Sequence, residues 1–156
     1  MTDKHKIKLT VNGTVYEREI DPRMSLGDFL RDELSIASIH FGCEHGVCGA
    51  CTIHLNGESV RSCLTLAVQA NNAEVMTVEG IGDIDNLHPL QEAFRDHHAL
   101  QCGYCTPGMI MTALDLKEKY PLTNEAEVRE ALSGNICRCT GYQNIVSAVL
   151  DWAAQK

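Results

Sequence analysis

Aromatic side chains are scarce in this chain. Phe, Tyr and Trp make up 5% of its 156 residues, with a single Trp, so the core must be mainly aliphatic. Proline is rare as well, at four residues, which argues against a proline-rich linker or a polyproline arm. No apolar run approaches the roughly 18 residues that would span a bilayer. A basic excess is also missing: 13 Lys and Arg stand against 21 Asp and Glu, a formal charge of -8. Phosphate-binding surfaces need the opposite balance, which argues against nucleic acid as a main partner. The deficit is not local, since residues 1–80 hold 7 basic and 11 acidic residues and residues 81–156 hold 6 and 10. The opening MTDKHKIKLT has no apolar stretch of the kind a secretory signal carries, so the expected location is cytoplasmic, where thiols stay reduced. Cysteine is the exception to these shortages. Eight cysteines in a reducing compartment call for an explanation other than disulfides, and metal is the first candidate.

The expected fold class is α+β. Ile7, Leu9 and Val11 alternate with polar residues, Asn12-Gly13 is a type I′ turn signal, and Val15–Ile20 resumes the extended pattern. Asp21-Pro22 breaks the hairpin. Ser25 caps a short helix, with Asp28 completing a box-like pair and Leu26, Phe29, Leu30 and Leu34 on its apolar face. A Gly- and Cys-rich loop, Gly42–Cys51, leads into a second hairpin through Asn56-Gly57, and Val75–Val78 reads as one more strand. Past the expected linker Gly80–Asn86 the pattern turns helical. Four helices are expected: Leu87–His98, one starting with Thr106 as cap and Pro107 at N1, one capped by Thr123 and ended by Ser133-Gly134, and Gln143–Ala154. The expected domains are therefore 1–79, a small sheet-and-helix unit, and 80–156, a compact four-helix bundle.

The cysteines divide along the same line. Cys43, Cys48, Cys51 and Cys63 read C-x4-C-x2-C-x11-C, whereas Cys102, Cys105, Cys137 and Cys139 read C-x2-C-x31-C-x-C. Four thiolates can hold tetrahedral zinc or an iron–sulfur cluster. The start of the first set has the plant-type [2Fe–2S] spacing. A two-iron rhomb is larger than a zinc ion and favours a long loop that delivers three thiolates from one side. Gly42, Gly46 and Gly49 would let backbone amides approach inorganic sulfide there. In the second set, Cys105 precedes one helix start, and Cys137 and Cys139 precede another. Two helix N-termini would depress thiolate pKa values, and Arg138 would add positive charge. Zinc, or thiol–disulfide chemistry at Cys102 and Cys105, are the alternatives the spacing leaves.

The segments GCEHGVCGACTIHLNG, SCLTLAVQA, LQCGYCTPGMIM and SGNICRCTGYQNIV resemble, over about residues 5–153, the small iron–sulfur subunits of the molybdenum hydroxylases, the xanthine dehydrogenase and aldehyde oxidoreductase family. The chain is similar also to the small subunits of carbon monoxide dehydrogenases and N-heterocycle hydroxylases. That resemblance implies a β-grasp, plant-type ferredoxin-like domain followed by a four-helix bundle. It implies one [2Fe–2S] cluster on each cysteine set, with the second nearer the molybdenum cofactor and the first nearer a flavin. It further implies that Gln101 and Cys139 lie near the pterin. The partners it implies are a large molybdopterin-binding subunit, with the cofactor in its cytosine dinucleotide form, and a medium FAD-binding subunit, arranged as a dimer of heterotrimers. The implied substrate is an aromatic N-heterocycle or purine. An aldehyde, carbon monoxide or a freestanding two-cluster ferredoxin are the alternatives.

The remaining chemistry-bearing residues read as ordinary ones. His5, His40, His45, His54, His88, His97 and His98 are expected at surfaces or interfaces, because cysteine already fills every ligand position. Met109 and Met111 are expected in the core, and Trp152 in the core or as a docking anchor. Gly80-x-Gly82 lacks the third glycine of a dinucleotide-binding turn.

Overall fold

The computed structural model describes residues 3–155. Its first half is a five-stranded mixed sheet: β1 His5–Val11, β2 Thr14–Ile20, β3 Thr52–Leu55, β4 Glu58–Arg61 and β5 Glu74–Met76, in the order β2-β1-β5-β3-β4. Asn12 and Gly13 take φ of 48° and 79°, as the type I′ turn requires, and the register runs His5↔Ile20 to Val11↔Thr14. Asn56 and Gly57, at 51° and 87°, turn the β3–β4 hairpin the same way. β1 runs parallel to β5; the other neighbours are antiparallel.

The alternation of β1 places Ile7, Leu9 and Val11 on the buried face. Against them lies a short helix that is α over Leu26–Asp28 (α1) and continues as a π turn over Phe29–Glu33. Ser25 Oγ accepts the Asp28 amide at 3.0 Å and donates to the Asp28 carboxylate at 2.6 Å, which is the expected cap. Leu26, Phe29 and Leu30 are fully buried under the sheet.

The second half carries α2 Pro89–Asp96, α3 Thr106–Lys119, α4 Glu125–Ala131 and α5 Gln143–Ala154 around a separate aliphatic core that includes Met109, Ile145, Val149 and Trp152. Several element ends differ from expectation: α2 is Pro89–Asp96 rather than Leu87–His98, because His88 caps it and Pro89 opens its first turn. β5 ends at Met76 because Asn12 takes the next residue in hand, accepting the Thr77 amide and donating to its hydroxyl, both at 2.9 Å; Val78–Gly80 then coils into a 3₁₀ turn. The N-cap of α3 is Cys105, one residue earlier than Thr106. Asn124 caps α4 through its side chain, while Thr123 closes on Glu127 from outside the helix.

The two halves meet where α3 crosses β3 and β4. A Cβ on Gly108 would collide with the Gly49 carbonyl oxygen, so at this crossing helix backbone lies on loop backbone. Buried His54 of β3 bonds from Nε2 to the Met111 carbonyl at 2.7 Å. Ser59 Oγ donates to Asp115 at 2.7 Å, and Lys119 pairs with Asp115 at 2.8 Å.

Candidate metal centres

The loop before β3 winds through left-handed backbone at Glu44, Gly46 and Gly49. That path turns successive amides inward, the arrangement that makes an anion cradle. Cys43 Sγ accepts the Cys48 amide at 3.3 Å. This bond, reinforced by the His45 and Val47 amides, brings the Cys43 thiol down to about 6. Gly42 leaves room for a ligand sulfur, since a Cβ there would meet Cys48 Sγ at 2.9 Å. Gly49 has a further reason to lack a side chain: its Cβ position is filled by Asn135 and the Gly134 carbonyl from the second half.

Cys51 opens β3 and Cys63 follows β4, so the hairpin brings them together across the Thr52↔Arg61 pair. Ser62 locks the return, donating to the Cys51 carbonyl from its amide at 3.3 Å and its hydroxyl at 2.9 Å. Burial, and then the neighbouring Cys51 thiol, push Cys63 up to about 11. The C-x11-C spacing is thus the hairpin expected through Asn56-Gly57, closed by a 3₁₀ turn that carries Cys63.

In the second set Cys102 and Cys139 sit at the surface with their sulfurs 3.4 Å apart. Cys105 and Cys137 form the inner pair. Burial raises Cys105 to about 12, and the Cys137 thiol beside it adds to the rise. For this thiol, burial acts against the lowering expected from the α3 N-terminus. For Cys137 burial acts in the same sense, but bonds from the Thr140 hydroxyl, at 3.2 Å, and the Thr140 amide outweigh it and lower the pKa. Its amide donates to Tyr142 Oη at 2.9 Å. All eight cysteines are free thiols.

Among the described residues, no three His, Cys, Asp or Glu side chains converge as holders of a single metal ion. The thiols instead gather as side-chain pairs: 43 with 48, 51 with 63, 102 with 139, and 105 with 137. Two pairs per site is what a two-iron rhomb takes, one pair for each iron. The donor chemistry and the amide cradle both fit such a group.

The two sites lie on either side of one seam. The Ile136 amide donates to the Cys48 carbonyl at 2.9 Å, joining the neighbour of one candidate ligand to another. Asn135 Nδ2 donates to the Gly49 carbonyl at 3.2 Å. His40 stacks on Tyr104 with ring centroids 4.4 Å apart and bonds from Nδ1 to its carbonyl at 2.7 Å, and Tyr104 Oη donates to the Phe41 carbonyl at 3.0 Å. Sequence reasoning singled out neither Asn135, Tyr104 nor Arg61. A polar residue one or two places from a ligand cysteine was the available signal. Gln101 is exposed beside Cys102, as is Arg138 between Cys137 and Cys139, and Arg138 makes no ion pair among the described residues.

The likenesses to known proteins follow the same division. Residues 9–77 match the family of 2Fe-2S iron-sulfur cluster binding domains, and residues 77–150 match the [2Fe-2S] binding domain family. The chain is 54% identical over 148 residues to the caffeine dehydrogenase subunit gamma of Pseudomonas sp. (strain CBB1), covering 93% of this chain and 89% of that one. It is 53% identical over 154 residues to the nicotine 6-hydroxylase small subunit of Paenarthrobacter nicotinovorans, covering 99% and 93%. Its fold superposes on the crystal structure of quinoline 2-oxidoreductase from Pseudomonas putida 86 with a TM-score of 0.91 at 48% identity, over 97% of this chain and 93% of that one. Fold and thiol sets together define a protein of two [2Fe–2S]-binding domains. More particularly, the chain belongs to the family of small iron–sulfur subunits of the molybdenum hydroxylases, the non-catalytic subunits of oxidoreductase complexes.

Proposed function

We propose that this chain passes electrons singly from a molybdenum centre on one partner subunit to FAD on another. Cys102, Cys105, Cys137 and Cys139 would hold the [2Fe–2S] cluster nearer molybdenum, and Cys43, Cys48, Cys51 and Cys63 the one nearer the flavin. When bound, each cluster supplies a site that stores one electron. The chain's own residues fix the ligand sulfurs, cradle Cys43 with amides, and hold the two sites against each other. The observation that carries the reading is the pairing of eight free thiols into two sets of four, bridged by the Ile136–Cys48 hydrogen bond.

The exposure of Gln101, Cys102 and Cys139 supports a face that meets the pterin of a large molybdopterin subunit, in its cytosine dinucleotide form. The order β2-β1-β5-β3-β4 with β1 parallel to β5 supports a β-grasp domain over 1–79. The shared core of α2–α5 supports a helical bundle over 80–156. A medium FAD subunit completes the unit, which doubles into a dimer of heterotrimers in the cytoplasm. The names of the relatives, which include caffeine, nicotine and quinoline, favour a purine or an aromatic N-heterocycle as the substrate of the whole enzyme.

The test is to isolate the chain with its neighbours. About four iron and about four acid-labile sulfide per chain are expected, with red-brown colour and stable association with a molybdopterin-containing subunit. A colourless zinc protein, or a lone monomer, would overturn the proposal.

A further inference from the structure

Arg61 closes β4 and stands two residues before Cys63. Its side chain crosses the seam between the two sites. Nη1 donates to Thr52 Oγ1 at 2.6 Å, and Nη2 donates to the Gly134 carbonyl at 2.8 Å. Thr52 follows Cys51, and its hydroxyl passes the chain on to the Gly49 carbonyl at 2.6 Å, next to Cys48. Gly134 begins the short run to Cys137, and Asn135 returns to the same Gly49 carbonyl at 3.2 Å. One guanidinium thus ties the backbone of both ligand-bearing segments. Every group it bonds is neutral, and among the described residues no carboxylate pairs with it. Arginine stays charged under all ordinary conditions, so a full positive charge lies in the seam without a counterion.

We infer that Arg61 is the shared cation of the two iron–sulfur sites, raising the reduction potential of both and holding their spacing. The inference rests on the cluster assignment proposed above. An oxidised [2Fe–2S] group with four thiolates carries a charge of about -2, and reduction adds one electron without making or breaking a bond. A fixed positive charge at the seam favours the more negative, reduced form of each. The first site feels it more, because Thr52 and Cys63 flank Arg61 on its own hairpin. Arg138, the cation that sequence proximity suggests, points from an exposed position and has no such ties.

The test is potentiometry followed by EPR on the assembled complex, comparing wild type with Arg61→Gln. Both potentials should fall, the first site's further. At a fixed applied potential its ratio of reduced to oxidised cluster should drop about tenfold, equivalent to about 59 mV for one electron. Both sets of g-values should stay in place, which a merely structural loss would not allow. Arg61→Lys keeps the charge but not the fork, so its potentials should stay nearer the wild type's than those of Arg61→Gln; Arg61→Met, which is also neutral, carries the test if the Gln form does not assemble. Potentials equal to wild type in whichever neutral variant assembles, with both signals present, would overturn the role of Arg61. Absence of two [2Fe–2S] signals in the wild-type protein would overturn the cluster assignment instead.

Discussion

Cys105 shows how one residue's surroundings divide its roles. It stands at the N-cap position of α3, and burial pushes its thiol up to about 12. Cys43, with amides converging on its sulfur, is the opposite case at about 6. Cys105 belongs to the second set of four thiols alone, so Cys105→Ser should remove that cluster and leave the other. Iron analysis should find about half the wild-type content, and one of two EPR signals should remain. Turnover of the complex should collapse while association with the large subunit persists, as gel filtration would show. Wild-type electron flow in that variant would contradict the proposed order of the relay.

At the scale of elements, α3 does most to bring the two sites together. Cys105 stands at its N-cap, its first turn lays Gly108 on the Gly49 carbonyl, and its Met111 carbonyl receives His54. Gly108→Ala adds one methyl where backbone meets backbone. Overpacking of this kind costs about 1–3 kcal/mol, and here the strain falls on the loop of the first cluster. Chemical denaturation should show that loss, and magnetic interaction between the reduced clusters should change along with it. The cap of α4 offers a control remote from the seam. Asn124→Ala should cost about 1 kcal/mol and leave both EPR signals as in the wild type.

For the whole molecule, the fastening of one half to the other is partly ionic. Burial opposes the charge on Asp115, yet Lys119 and Ser59 outweigh it and hold the carboxyl below its usual range. Lys119 also pairs with Glu58, and both carboxylates raise its pKa. A depressed carboxyl contributes stability that is present above the unfolded-state value, about 3.9, and is lost as pH falls through the native one. Acid titration of the folded protein should thus show wild type losing stability below about pH 4 more steeply than Asp115→Asn. At neutral pH the variant should already be weaker by about 1–3 kcal/mol, since Ser59 and Lys119 lose their partner. Equal acid limbs for the two proteins would show that Asp115, through Ser59 of β4, does not help to fasten the halves.

Much of this was written in local pattern. The two-residue period of β1, the Asn-Gly turns, the Ser25–Asp28 cap and the helical stretches are short-range preferences, and they hold in the fold because core and turn agree with them. The division of the cysteines into two sets of four was equally legible, since spacing alone separates them. Element ends were less so. Asn12 stops β5 from 65 residues away, and no local rule contains that bond.

The sequence by itself determined the element types, the thiol inventory and its grouping, because these depend on neighbours along the chain. Only the tertiary structure decided which sulfurs pair, why Gly49 and Gly108 are glycines, and that Arg61 rather than Arg138 occupies the seam. Those outcomes depend on segments up to 86 residues apart being pressed into one place, where burial and hydrogen bonds act at a distance that sequence order does not encode.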